Sequence, residues 1–103
     1  MNRIEKLQEM LEKMPGDSFI QHALALEFIK LGQDEKAREF FERILSANPE
    51  YIGSYYHLAK LHERSGNQES AIMVYEKGME MSKKAGDDHS YNELRSAYED
   101  LVY

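Results

Sequence analysis

The sequence predicts an all-α fold, in which about six helices form antiparallel helix-turn-helix repeats stacked as a right-handed superhelix. Two stretches of the chain superimpose with a shift of 34 residues, and the identities fall on apolar or small positions. Leu24, Ala25 and Ala37 match Leu58, Ala59 and Ala71. A period of this length is typical of repeat proteins, in which each unit buries its apolar face against the next. The alternating apolar pattern of β-strands is absent from the sequence.

Turn signals divide the chain roughly every 16–18 residues, and the apolar residues between them recur at helical spacing. The predicted helices span residues 2–14, 18–31, 34–47, 52–65, 68–84 and 89–101. Four residues are predicted to be N-caps, because their side-chain oxygens can accept hydrogen bonds from the free N–H groups of a first turn. They are Asp17, Asp34, Asn67 and Asp88.

The repeat motif adds a family resemblance to this pattern. The second stretch contains Tyr55-x2-Leu58-Ala59 and then Ala71-x3-Tyr75, and the first contains Leu24-Ala25-x2-Phe28, then Ala37-x3-Phe41 and Pro49. These motifs resemble the tetratricopeptide repeat (TPR) family, whose 34-residue unit is a pair of antiparallel helices. Gln21 departs from the family motif, because an aromatic residue is usual at its position. Gly78 keeps a usually small position small, and we expect a close helix approach there.

The 34-residue register predicts a single TPR-like domain over residues 1–103. Two complete repeats would cover residues 18–51 and 52–85. Residues 1–16 would form a half-repeat, and residues 86–103 would form a terminal capping helix. Arg95 stands where the internal repeats carry alanine, so its bulky charge is predicted to end the stack.

Composition and charge narrow the classes of partner. The net charge is -6, and basic residues are interspersed with acidic ones, which argues against binding to nucleic acid or to an anionic membrane surface. The chain has no cysteine, so disulfides and thiolate metal sites are excluded. No apolar run approaches the length of a signal peptide core or a membrane span, and a cytoplasmic location is expected.

No catalytic constellation, metal site or cofactor is predicted. His62 and Glu63 begin like a zinc-protease helix motif, but Gly66 stands where the second ligand would be. Pairs such as Glu76 and Glu80 are interpreted as solvated helix surface. Two sets of residues are interpreted as packing residues: the methionines Met10, Met14, Met79 and Met81, and the tyrosines at the aromatic positions of the repeat, Tyr55, Tyr75, Tyr91 and Tyr98. A small enzyme or a metal-binding protein is the alternative from another class.

The resemblance implies that the first helix of each repeat lines a concave groove that binds a protein or peptide segment without catalysis. Phe19, Leu26 and Ile29 lie off the core face of their helix, so they form either a ligand surface or a face covered by another helix or subunit. Homo-oligomerisation through the same groove, as a weak homodimer or an assembly scaffold, is the alternative. The expected groove residues are Phe19, His22, Leu26, Ile29, Lys30, Tyr56, Lys60 and Arg64.

Overall fold

A computed structural model describes residues 2–103, and within this range it contains six α-helices and no β-strand. The helices are α1 (Arg3–Lys13), α2 (Ser18–Lys30), α3 (Asp34–Ala47), α4 (Gly53–Arg64), α5 (Gln68–Ala85) and α6 (Asp88–Val102). The all-α fold class is therefore confirmed. The helix ends agree closely with the predicted ones, because Gly and Pro turns separate long segments of helical spacing.

Two of the four predicted N-caps are confirmed, and two are wrong. The side chains of Asp17 and Asn67 accept a backbone N–H at the starts of α2 and α5. At the start of α6 the cap is Asp87 instead of Asp88, and it accepts hydrogen bonds from both the N–H and the hydroxyl of Ser90. Helix α3 begins without a side-chain cap, because the predicted cap already lies in its first turn.

The helices group into two compact units. The N-terminal unit extends to Asn48 and holds α1–α3, and the C-terminal unit starts at Pro49 and holds α4–α6. In the first unit α2 packs against both α1 and α3; in the second, α5 packs against both α4 and α6. Fully buried residues include Leu24, Ala37 and Phe41 in the first unit, and Ala59, Ala71 and Tyr75 in the second. The finer division into repeats and half-repeats stays a prediction.

A hydrogen bond recurs in the two units at positions 34 residues apart. The hydroxyl of Tyr55 donates to the carbonyl oxygen of Pro49, and the side-chain amide of Gln21 donates to the carbonyl oxygen of Pro15 at 2.9 Å. Gln21 is buried, so its amide needs a partner of this kind. The departure of Gln21 from the aromatic motif is thus explained, because its amide makes the contact that a tyrosine hydroxyl makes in the C-terminal unit.

The expected close helix approach at Gly78 is confirmed. A Cβ atom added to this residue would lie 2.7 Å from the Cβ of Tyr55 on α4 and 3.0 Å from the Cδ1 of Leu94 on α6. In contrast, the interpretation of Met10 and Met14 as packing residues is wrong, since their side chains are 45% and 50% exposed. Helix α1 buries a different residue, Leu7.

Candidate functional site

One side of α2 carries five of the predicted groove residues. With 3.6 residues per turn, Phe19, Leu26 and Lys30 fall on one stripe, and His22 and Ile29 lie beside it. Phe19 is 68% exposed, Lys30 is exposed, and the other three side chains are half-buried. We call this surface the α2 face. It is an apolar strip on an ordered helix, with a cation at its C-terminal end.

Contacts inside the N-terminal unit fix the polar groups of the α2 face. The imidazole of His22 packs edge-on against the buried ring of Phe41, with 5.4 Å between the ring centroids. The Nζ of Lys30 lies 3.1 Å from the Oε2 of Glu27, which also lies 3.4 Å from the Nε of Arg3 on α1. Two cations therefore offset the carboxylate at the edge of the face, and the strip itself stays free of unpaired negative charge.

The other three predicted residues lie on α4, where Tyr56, Lys60 and Arg64 follow one another at intervals of four and form what we call the α4 face. The Nζ of Lys60 is 5.6 Å from the centroid of the Tyr56 ring and 3.5 Å from the Oε2 of Glu63. Glu63 also accepts a hydrogen bond from the hydroxyl of Tyr75. Burial, together with Glu63, raises the pKa of Tyr75 well above its usual range. Whether the α2 and α4 faces act as one groove stays a prediction.

In the part of the chain that the structure describes, the histidines are not arranged as a metal site. His57 is half-buried, and its ring lies nearly perpendicular to that of Tyr56 at 5.8 Å. Burial lowers the pKa of His57; Glu93 opposes this shift and Arg64 adds to it. Residues 2–103 contain no group of three His, Cys, Asp or Glu side chains placed to hold a metal ion. The expected lack of metal, cofactor and catalysis stays a prediction.

A cavity of about 340 Å³ lies in the C-terminal unit, and the sequence did not predict it. We call it the α5–α6 cleft, and it is lined by Glu76, Met79, Glu80, Lys83, Tyr91 and Tyr98. The interpretation of Tyr91 and Tyr98 as packing residues is incomplete, because both rings are half-exposed and form one wall of the cleft. A signal was present in the sequence: the four lining residues of α5 share a helix face, and the two tyrosines are seven residues apart. Neither pattern alone shows that the two faces meet.

The paired helices, the 34-residue register and the exposed first-helix face define a helical-repeat protein. Comparison with known proteins identifies the repeat. Family models described as tetratricopeptide repeat match residues 18–61 and 52–84. The crystal structure of a tetratricopeptide repeat domain protein from Salinibacter ruber is 35% identical, covers 82% of this chain and 94% of that chain, and has a TM-score of 0.80. The chain therefore belongs to the tetratricopeptide repeat family.

Two other proteins are similar to this chain. The TPR repeat-containing protein PA0015 of Pseudomonas aeruginosa is 25% identical over 91 residues, which are 88% of this chain and 87% of that protein. Protein BPP2914 of Bordetella parapertussis, at 20% identity, shares the fold with a TM-score of 0.84 over 99% of this chain and 89% of its own. Tetratricopeptide repeats are generally protein-interaction modules, and their fold is typically non-catalytic. No helix within residues 2–103 combines the length and apolar character needed to cross a membrane.

Proposed function

We propose that the protein binds a protein or peptide segment, without catalysis, through the α2 face and the α4 face. The observation that carries this proposal is the exposure of Phe19, which is 68% accessible next to half-buried Leu26 on the same stripe of α2. Single exposed apolar side chains are ordinary on protein surfaces. A continuous apolar strip on a well-formed helix is instead typical of an interaction surface. The family's general role in protein interaction supports the same reading.

The basic residues of the two faces indicate which partner fits. Lys30 lies at the C-terminal end of the α2 face, and Lys60 and Arg64 lie on the α4 face. A segment with apolar side chains for Phe19 and Leu26, followed by an acidic residue, would match this arrangement. The acidic residue would have to compete with Glu27 or Glu63 for the lysines, so it contributes more to specificity and association rate than to affinity.

Two variants test the proposal. Phe19→Ala and Leu26→Ala each remove an apolar anchor, and such anchors typically cost about 2 kcal/mol, or roughly thirtyfold in affinity. Met73→Ala is the matched control, because Met73 is 69% exposed on α5 and lies outside both faces. Proteins captured from a lysate by the parent and the control, but not by the two variants, are purified and their affinities measured by calorimetry.

The proposal fails if both variants bind the purified partner as tightly as the parent does, with unchanged helix content by circular dichroism. Homo-oligomerisation, the alternative, predicts a different result. Light scattering would then give the parent a mass that is a multiple of 12.1 kDa, and Phe19→Ala would lower that mass. The cytoplasmic location expected from the sequence stays a prediction, and fluorescence microscopy of the tagged protein tests it.

A further inference from the structure

The α5–α6 cleft has an aromatic wall and a charged wall. Tyr91 and Tyr98 supply the rings from α6, and Glu76, Met79, Glu80 and Lys83 supply the opposite wall from α5. Its volume of about 340 Å³ falls in the range of small-ligand sites, roughly 300–1,000 Å³. The hydroxyl of Tyr98 donates to the Oε2 of Glu76 at 3.3 Å, so the carboxylate is held beside the ring.

The cleft already holds a cation from its own chain. The Nζ of Lys83 lies 5.3 Å from the centroid of the Tyr91 ring, within the distance at which an ammonium group is attracted to an aromatic face. This lysine is exposed, and its side chain is flexible enough to leave the ring. The position over Tyr91 is therefore suited to an ammonium or guanidinium group, whichever molecule supplies it.

The two carboxylates of the cleft differ in availability. Glu80 is engaged by Lys77 at 2.8 Å and by Lys84 at 3.9 Å, and the hydrogen bond from Lys77 lowers the pKa of Glu80. Glu76 accepts its hydrogen bond from a neutral hydroxyl, so its charge is not offset by that contact. An incoming cation placed over Tyr91 and Tyr98 would find this carboxylate at the edge of the aromatic wall.

We propose that the α5–α6 cleft receives a lysine or arginine side chain from a partner protein, and that Lys83 leaves the Tyr91 ring to admit it. Aromatic faces attract the cation, Glu76 supplies the opposite charge, and Met79 offers an apolar contact for the alkyl stem. None of the residues of the α2 or α4 face lines this cleft. A failure of this proposal would therefore leave the proposed function unaffected, and a failure of the proposed function would leave this proposal unaffected.

The test uses the full chain and blocked tripeptides. Acetyl-Gly-Lys-Gly-amide and its arginine counterpart are titrated into the protein at near-physiological salt, and the glutamine counterpart serves as the neutral probe. The NMR signals of the Tyr91 and Tyr98 rings and of the Met79 methyl group report on the cleft. We expect saturable shifts with the lysine and arginine peptides and none with the glutamine peptide.

Variants separate the cleft from general electrostatics. Lys83→Gln removes the internal cation and should raise the affinity for the lysine peptide at least threefold. Lys36→Gln is the matched control: it removes the same charge from a lysine whose Nζ lies 5.4 Å from the Phe28 ring, in the other unit. Glu76→Gln, at an exposed position, should lower the affinity several-fold. Tyr91→Phe should keep the binding and Tyr91→Leu should abolish it.

Three results would overturn the proposal. The first is an absence of saturable shifts with both basic peptides. The second is an equal response to the glutamine peptide, which would show that charge is not recognised. The third is an equal gain in affinity for Lys36→Gln and Lys83→Gln, which would assign the effect to the net charge of -6 and not to the cleft.

Discussion

For the substitution Gly78→Ala, intrinsic helix propensity and tertiary packing predict opposite effects on stability. Gly78→Ala places a methyl group in the interior of α5, and a glycine in an open helix interior is about 1 kcal/mol less favourable than alanine. Propensity alone therefore predicts that the variant is stabilised. The structure predicts the reverse, because the new Cβ would lie 2.7 Å from the Cβ of Tyr55 and 3.0 Å from its Cγ.

The nature of the clashing atom decides the size of the effect. The Cβ of Tyr55 is bonded directly to the backbone of α4, so it cannot rotate away as the end of a long side chain would. Relief requires α4 and α5 to move apart, and such overpacking typically costs about 1–3 kcal/mol. After subtraction of the gain in propensity, the variant should lose up to about 2 kcal/mol of stability. The upper limit corresponds to a drop of roughly 8–16 °C in melting temperature for a chain of this size.

Thermal and urea unfolding, followed by circular dichroism, measure this difference. Gly16→Ala is the control, because an added Cβ at Gly16 has no neighbour within 4 Å. The control should change stability by less than about 1 kcal/mol. If Gly78→Ala proves about 1 kcal/mol more stable than the parent, the close approach of α4 and α5 is not the reason for a glycine at this position, and the packing argument is refuted.

Three further predictions concern the C-terminal unit. Ala59→Leu should lower the free energy of unfolding by about 1–3 kcal/mol in urea melts, since Ala59 is fully buried, and an unchanged midpoint would contradict this packing. Tyr55→Phe should cost about 1 kcal/mol in the same assay through loss of the bond to the Pro49 carbonyl. His57→Gln should flatten the pH dependence of stability, because burial holds the pKa of His57 in the folded protein below its unfolded value of 6.5. The contribution of the neutral imidazole to the stability of the parent is therefore complete above pH 6.5 and is lost as the pH falls through the folded pKa. Urea midpoints measured from about pH 7 to pH 5 test this, and equal slopes for parent and variant would refute it.

The helices could be predicted from the sequence because their signals are local. Helical spacing of apolar residues, Gly and Pro turns, and capping residues such as Asp17 all act within a few positions. The N-cap of α6 was harder to assign, because two adjacent aspartates offer equivalent oxygens. Asp87 is the cap since its carboxylate reaches both the N–H and the hydroxyl of Ser90, and a preference of this kind depends on backbone angles that the sequence does not contain.

The surfaces proposed to be functional could be predicted only in part. The α2 face was predictable, because Phe19 and Leu26 lie off the core face defined by Leu24 and Phe28 on the same helix. The α5–α6 cleft depends instead on two helices, and the meeting of Glu76 with Tyr98 spans 22 positions of the chain. Exposed charges and repeat-position aromatics each have an ordinary explanation when considered alone. Their significance arises only when the fold brings them together.

The two proposals imply partner segments of opposite charge. The α2 and α4 faces combine apolar side chains with Lys30, Lys60 and Arg64, which favours an acidic and apolar segment. The α5–α6 cleft combines aromatic rings with the carboxylate of Glu76, which favours a basic side chain. Added salt should weaken both kinds of contact, because most of the charges involved are exposed to solvent. The apolar contribution of Phe19 and Leu26 should persist in high salt, so the salt dependence of a partner's affinity will distinguish a segment bound mainly on the α2 face from one bound mainly in the cleft.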